Sequence, residues 1–327
     1  MLTDAAGAGA GFRTLGDSGI RVSRLGVGGG SLATSGDLQE TTAMLTACWD
    51  VGLRYYDTAP LYGDSEARLG SMFQRHARKD FVVSTKVGRL SNVDGRRRFD
   101  FSRAAMERSI ANSLSKLAVD YVDLVFIHDL TPAMLGDEYA QASAALLDEG
   151  MDYLLELKKQ GVVRGVGVSL YDIEIATQLV ASAPLDCCMI VGGYTLLQQD
   201  AMGALLPLAV ARNVGILVAS PFHTGLLVTG AAANARFNYG QTPAELLEKV
   251  ARIEAVCDRH SIDLAAAALQ FPLLHPAVAG VVVGHRTPAE VRSNVASLDT
   301  SAPTAFWADM IAQGLLPSNI PFAGPHD

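Results

Sequence analysis

Val122-Asp123-Leu124-Val125-Phe126-Ile127-His128 is the stretch on which the fold turns. Leu124 to Ile127 is apolar at every position. A strand with one wet face would alternate apolar and polar residues. A run that is apolar on both faces belongs to a parallel sheet covered on either side. Val82-Val83 and Val281-Val282-Val283 have the same character.

Working outward from this run, short β-rich segments alternate with longer helical ones. A small hairpin comes first, with Phe12-Arg13-Thr14-Leu15 and Ile20-Arg21-Val22 joined at Gly16-Asp17-Ser18-Gly19, residues suited to a tight reversal. The spacing then predicts strands at 25–28, 54–57, 81–86, 122–128, 163–169, 187–191, 215–220 and 279–283. It predicts helices over 38–52, 64–77, 102–117, 140–160, 172–182, 200–212, 243–260 and 288–297. Gly52 and Gly161 stand where helix C-caps are expected. Eight strand–helix units in one chain favour a closed α/β barrel of the (β/α)8 type, a TIM barrel with an N-terminal β-hairpin, over an open doubly wound sheet. No Pro-, Gly- or Ser-rich linker divides the chain, so 1–327 reads as a single domain. Residues 1–10 read as disordered, 222–242 as a surface loop, and 300–327 as a tail without clear periodicity.

The bulk numbers bound the function. The 327 residues are 49% apolar and 18% charged, a composition of folded globules. The net charge of -8 lacks the basic footprint that nucleic acid requires. No apolar run is long enough to span a membrane, and the N-terminus lacks the charged and apolar regions of a secretion signal. Cys48, Cys187, Cys188 and Cys257 show no metal-type spacing and read as buried thiols in a reducing, cytoplasmic setting. No metal is expected.

In such barrels the active site forms at the C-terminal ends of the strands. There the second strand ends at Asp57, with Tyr62 in its loop; the third ends at Lys86 and the fourth at His128. A single polar residue at a strand end is as often structural as functional. These four together form a proton-transfer unit. A phenol has an ordinary pKa near ~10, and a neighbouring cation lowers it. Lys86 supplies that cation, Asp57 pairs with Lys86, and His128 can hydrogen-bond the oxygen that Tyr62 addresses.

With these residues the sequence resembles the aldo-keto reductase superfamily. The motifs that carry the resemblance are Gly52-Leu53-Arg54-Tyr55-Tyr56-Asp57-Thr58-Ala59-Pro60-Leu61-Tyr62-Gly63, Ser84-Thr85-Lys86-Val87-Gly88 and Asp123 to Asp129, with the hairpin and Gly165-Val166-Gly167-Val168-Ser169 in support. The resemblance spans residues 12 to 297. It implies the barrel, a nicotinamide cofactor extended across the strand ends, and a tetrad of Asp57, Tyr62, Lys86 and His128. Lys86-Val87-Gly88-Arg89-Leu90, Phe99-Asp100-Phe101-Ser102, Gly193-Tyr194-Thr195-Leu196-Leu197 and Ala265 to Pro272 resemble the branch that oxidises the anomeric carbon of an aldose, of the L-fucose, D-arabinose or L-galactose type, to a lactone.

The cofactor contacts implied by the resemblance are Ser169, Ser220, Pro221, Gly284, Arg286 and Asn294. Leu170 stands where the superfamily usually has Asn, and Ser220 where many members stack a Tyr on the nicotinamide. No Gln is evident in Cys187-Cys188-Met189-Ile190-Val191, where members usually carry one. Thr287 and Pro288 suit a helix N-cap and first position, a favourable anion site. Gly284 replaces a Lys and Glu290 an Arg common in NADP-dependent members. These changes favour NAD, with NADP as the alternative. Substrate contacts are expected from Asp129, Phe222 and His223, with Leu32 and Leu90 as further candidates. The partner is a small-molecule sugar, with no nucleic acid and no membrane, and the protein a monomer or small homo-oligomer. The alternatives are a reductase or dehydrogenase for another aldehyde or alcohol such as pyridoxal, and a cofactor-binding regulatory module like the β subunits of potassium channels.

Overall fold

In the computed structural model, the described residues are 11–33, 37–93, 96–232, 236–237, 240–299 and 301–321. The expectation of disorder over 1–10 lies outside them. Eight parallel strands close into a barrel: β1 (Leu25–Gly28), β2 (Tyr55–Asp57), β3 (Val82–Val87), β4 (Val122–His128), β5 (Val163–Leu170), β6 (Cys187–Val191), β7 (Gly215–Ala219) and β8 (Val278–Val283). Their order around the barrel follows the chain, and β8 pairs with β1 through Val283 and Val27. This is the expected (β/α)8 architecture.

The helices form an outer ring, and local chemistry sets their ends. Helix α1 (Leu38–Asp50) starts where Asp37 accepts the Gln39 N–H, and the chain turns at Gly52 with φ +87°. Helix α2 (Ser65–Phe73) follows β2, and α3 (Arg103–Leu117) is capped by Ser102 accepting from the Ala105 N–H. Helix α4 (Met151–Gln160) ends at left-handed Gly161; α5 (Ile173–Ser182) starts at Asp172, which accepts from Ile175. Helices α6 (Leu205–Ala211), α7 (Ala244–His260), α8 (Leu264–Gln270) and α9 (Pro288–Asp299) complete the ring.

Two apolar clusters hold these layers. The larger joins the outward faces of the strands to the helices. The smaller fills the barrel with Tyr55, Val82, Leu124, Phe126, Met189, Leu217 and Val282. Leu15, Ile20 and Val22 of the N-terminal hairpin belong to it, so the hairpin plugs one end of the barrel. Gly167 lies beside Phe126: a Cβ there would stand 2.6 Å from the Cys187 carbonyl oxygen and 2.9 Å from the Phe126 ring. The glycines of β5 make room inside the closed sheet.

Two expectations are corrected. The 300–327 tail contains helix α10 (Thr304–Ala312), which buries Phe306, Trp307 and Met310; all its residues but Thr304 and Asp309 are apolar, so no polar face marks a helical period. The stretch over 222–242 is not all surface loop, for it holds a short helix, Leu226–Thr229, with Leu226 and Leu227 buried. The helix expected over 140–160 is present, running without a break from Tyr139 to Gln160. It passes through a π-helical turn at Leu146–Gly150 between Tyr139–Ala145 and α4. A Cβ at Gly150 would meet the Phe101 carbonyl oxygen at 2.8 Å, so the turn brings the chain close to its neighbour there.

Candidate active site

Strand alternation explains why the polar strand-end residues meet. Tyr55, Val82, Leu124 and Phe126 face the barrel interior. Two residues on from each, a strand returns to the same face. That step leads from Tyr55 to Asp57, from Val82 to Ser84 and Lys86, and from Phe126 to His128. The register aligns them, with Asp57 opposite Ser84, Lys86 opposite Phe126 and His128 opposite Ser169.

At the centre, Lys86 Nζ donates to Asp57 Oδ2 at 2.5 Å and to the Thr58 carbonyl at 3.0 Å. Ser84 Oγ donates to Asp57 Oδ1 at 2.7 Å and lies 3.0 Å from the Tyr55 hydroxyl. Both carboxylate oxygens are thereby engaged. Lys86 Nζ stands 4.9 Å from the centroid of the Tyr62 ring, and the Tyr62 and His128 rings meet edge to face at 6.0 Å. Lys86 and Asp57 are almost fully buried, which strengthens their attraction and makes an unpaired charge there costly.

Burial disfavours the Lys86 ammonium, but Asp57 and Tyr62 outweigh it and leave its pKa raised. Burial also raises the Tyr62 pKa, and Lys86 pulls it back only in part. The simple expectation of a lowered phenol pKa is therefore corrected. The cation acts in the expected direction, but desolvation is larger. His128 is driven well below its ordinary value by burial first and then by Lys86 and Arg89, so near neutrality its ring is uncharged and carries one N–H to donate. Its Nδ1 is buried without a hydrogen-bond partner.

The remaining sequence candidates divide. Ser169 is buried at the end of β5 opposite His128. Ser220 follows β7 with φ +56° and is exposed, and Pro221 beside it is buried. Gly284 follows β8 in close approach to Ser31: a Cβ would meet the Ser31 Cβ at 3.0 Å. Thr287 Oγ1 accepts from the Glu290 N–H at 3.2 Å at the start of α9. Arg286 is exposed and turned to Glu290, with Nε 3.3 Å from Oε1, while its backbone N–H donates to Oε2 at 2.8 Å. Asn294 is half-buried on α9.

Asp129 is buried just beyond His128 and paired with Arg89. Phe222 is half-buried against the outer core, Leu90 is half-buried in its hairpin, and Leu32 is fully buried. His223 is buried and its Nε2 lies 2.6 Å from Thr195 Oγ1, so it ties the loop after β7 to the loop after β6. Sequence reading passed over Ser84, Tyr55 and Arg89. Counting by two back from Lys86 and Asp57 would have found the first two.

The profile of the Aldo/keto reductase family matches residues 24–312. The chain belongs to the aldo/keto reductase family. It is 37% identical over 326 residues to D-threo-aldose 1-dehydrogenase of Pseudomonas sp, covering 92% of this chain and 97% of that one. It is 32% identical to pyridoxal 4-dehydrogenase of Microbacterium luteolum, over 93% of this chain and 97% of that one. Among solved structures, the holo form of an aldo-keto reductase from Bacillus halodurans superposes with a TM-score of 0.77 at 25% identity, covering 95% of this chain and 98% of the other. As an aldo-keto reductase the chain is an oxidoreductase of the nicotinamide-dependent kind. Among the described residues no helix is long and apolar enough to cross a membrane, and no cluster of His, Cys, Asp and Glu could hold a metal.

Proposed function

We propose that this aldo-keto reductase oxidises the anomeric carbon of a small aldose, of the L-fucose, D-arabinose or L-galactose type, to the lactone. The observation that carries the chemistry is the buried Lys86 ammonium set between Asp57 and the Tyr62 ring. The likeness to D-threo-aldose 1-dehydrogenase supports the choice of substrate.

The Tyr62 oxygen takes the proton from the C1 hydroxyl. Lys86 stabilises the phenolate that this requires, and Asp57, held in turn by Ser84, keeps the ammonium in place. Neutral His128 donates to the same substrate oxygen and fixes its position. Asp57, Lys86 and His128 are buried, while Tyr62 is half-buried. A nicotinamide coenzyme, when bound, supplies the hydride acceptor. Ser169, Ser220, Pro221, Gly284, Arg286 and Asn294 would hold it. The close approach at Gly284 and the capped start of α9 fit an extended, anionic ligand over that rim. Engagement of Arg286 by Glu290 supports NAD over NADP, because a carboxylate there opposes a 2′-phosphate. All four cysteines are buried and free, in keeping with a reducing, cytoplasmic compartment.

The likeness to pyridoxal 4-dehydrogenase favours a second reading, in which the same groups act on an aldehyde such as pyridoxal. A panel of D-threo aldoses, pyridoxal and simple aldehydes with NAD and NADP decides between them. Turnover of pyridoxal or aldehydes without turnover of any aldose would overturn the first reading.

A further inference from the structure

A second pair of opposite charges, a buried Asp129 with a largely buried Arg89, lies beside the tetrad. Arg89 opens the hairpin Arg89–Val93 with Arg96–Phe99 that follows β3, and Asp129 is the first residue after β4. Arg89 Nη1 pairs with Asp129 Oδ2. The guanidinium carbon lies 6.0 Å from the centroid of the Phe99 ring. The same Asp129 oxygen is 3.7 Å from His128 Nε2, so the pair borders the tetrad directly. Asp129 adopts φ +53°, and its N–H and C=O are tied to Ser169 and Thr131.

Stability does not account for this pair. Two buried charges seldom hold a fold together better than packed apolar residues of the same volume. Nor is the pair saturated, because Arg89 Nε is buried with no hydrogen-bond partner, as is His128 Nδ1. A guanidinium offers donors in a rigid fork and a carboxylate offers only acceptors. Set side by side, they match two adjacent hydroxyl groups, each able to donate and accept. A ligand with a single carbonyl and no hydroxyls would leave them unanswered.

We propose that Arg89 and Asp129 are specificity-determining residues that together hold a vicinal diol of the substrate, beside the carbon that Tyr62 and His128 address. The pair thereby selects ring-form sugars over hemiacetals and aldehydes that lack neighbouring hydroxyls. This rests on the aldose reading above and names what in the site would recognise the sugar.

The test compares L-fucose with tetrahydropyran-2-ol, a cyclic hemiacetal that has the reacting C–OH and no vicinal diol. The variants are Arg89→Met and the double Arg89→Met/Asp129→Asn, the second leaving no lone buried charge. The preference for L-fucose, read as the ratio of the two kcat/KM values with NAD present, should fall about 10- to 100-fold in both. An unchanged ratio, with both substrates losing activity together or neither losing any, would overturn the proposal and reduce the pair to a clasp for the hairpin. Wild-type protein that turns over aldehydes but no sugar would instead remove the aldose reading, and the diol assignment with it. The wild-type panel alone distinguishes that failure.

Discussion

Lys86 Nζ lies 4.9 Å from the centre of the Tyr62 ring while its charge is anchored 2.5 Å from Asp57. One cation therefore serves two anionic partners in turn. In the resting protein it neutralises the carboxylate. When Tyr62 ionises, the same ammonium faces the phenolate. Burial raises the cost of that ionisation and also strengthens the attraction that offsets it, so the balance between the two sets the pH at which the site works.

Replacing Tyr62 by Phe keeps the ring beside His128 and removes the oxygen that moves the proton. Turnover should fall at least about 10²- to 10⁴-fold, the range general acid–base groups contribute. Coenzyme binding, followed by quenching of protein fluorescence, should stay near wild type. Turnover within a few-fold of wild type would end the assignment of Tyr62.

The pH dependence follows from the direction of the Tyr62 shift. Oxidation needs the phenolate, so its rate should climb with pH toward the raised Tyr62 pKa. Lys86 lowers that pKa and Asp57 raises it. Lys86→Met takes away the lowering influence and leaves the raising one, so the alkaline limb should move to still higher pH and activity at neutrality should drop. In Asp57→Asn/Lys86→Met both influences are gone, and the limb should return part of the way. A limb at the same pH in all three proteins would show that Tyr62 is not the titrating group.

Much of this was legible in the sequence, for physical reasons. Val122–His128 reads correctly because a strand covered on both faces has no reason to vary from apolar residues until it reaches the rim. Asp57 and His128 stand out because each ends a strand, and Lys86 because it is a cation within a strand buried on both faces. What stayed hidden depends on contacts between distant segments. Ser84 looks like an ordinary strand residue until the register sets it opposite Asp57. Arg89 looks like a solvated arginine until its hairpin folds back to Asp129. The ionisation of Tyr62 was misjudged because a sequence names the neighbouring cation but not the degree of desolvation. Helix α10 was missed because its stability comes from docking Phe306 and Trp307 rather than from its own periodicity.

Gly167→Ala tests the packing of the barrel. The added Cβ would stand 2.6 Å from the Cys187 carbonyl oxygen, a backbone atom of the paired strand that cannot swing aside. The strain should destabilise the fold by about 1–3 kcal/mol, the usual range for overpacking. A thermal melt should show a clearly lower midpoint. An unchanged midpoint would mean that β5 and β6 separate more easily than their register suggests.

Coenzyme choice can be tested at Glu290. Its carboxylate engages both the Arg286 side chain and the Arg286 backbone N–H, at 3.3 and 2.8 Å. In this state the guanidinium is partly neutralised and turned along the helix. A 2′-phosphate arriving there would meet a carboxylate as well as the arginine. Glu290→Gln removes the negative charge, keeps a backbone acceptor and leaves Arg286 free to meet the phosphate. The gain should be modest, because the arginine is largely exposed and solvent screens it. NADP affinity should rise about 3- to 10-fold relative to NAD in a fluorescence titration, each tenfold corresponding to about 1.4 kcal/mol, and the rise should shrink as salt is added. Arg286→Ala in the same background should cancel it. If the ratio of the two affinities stays where it was, the adenosine end of the coenzyme lies away from Arg286, and the preference for NAD must come from another part of the rim.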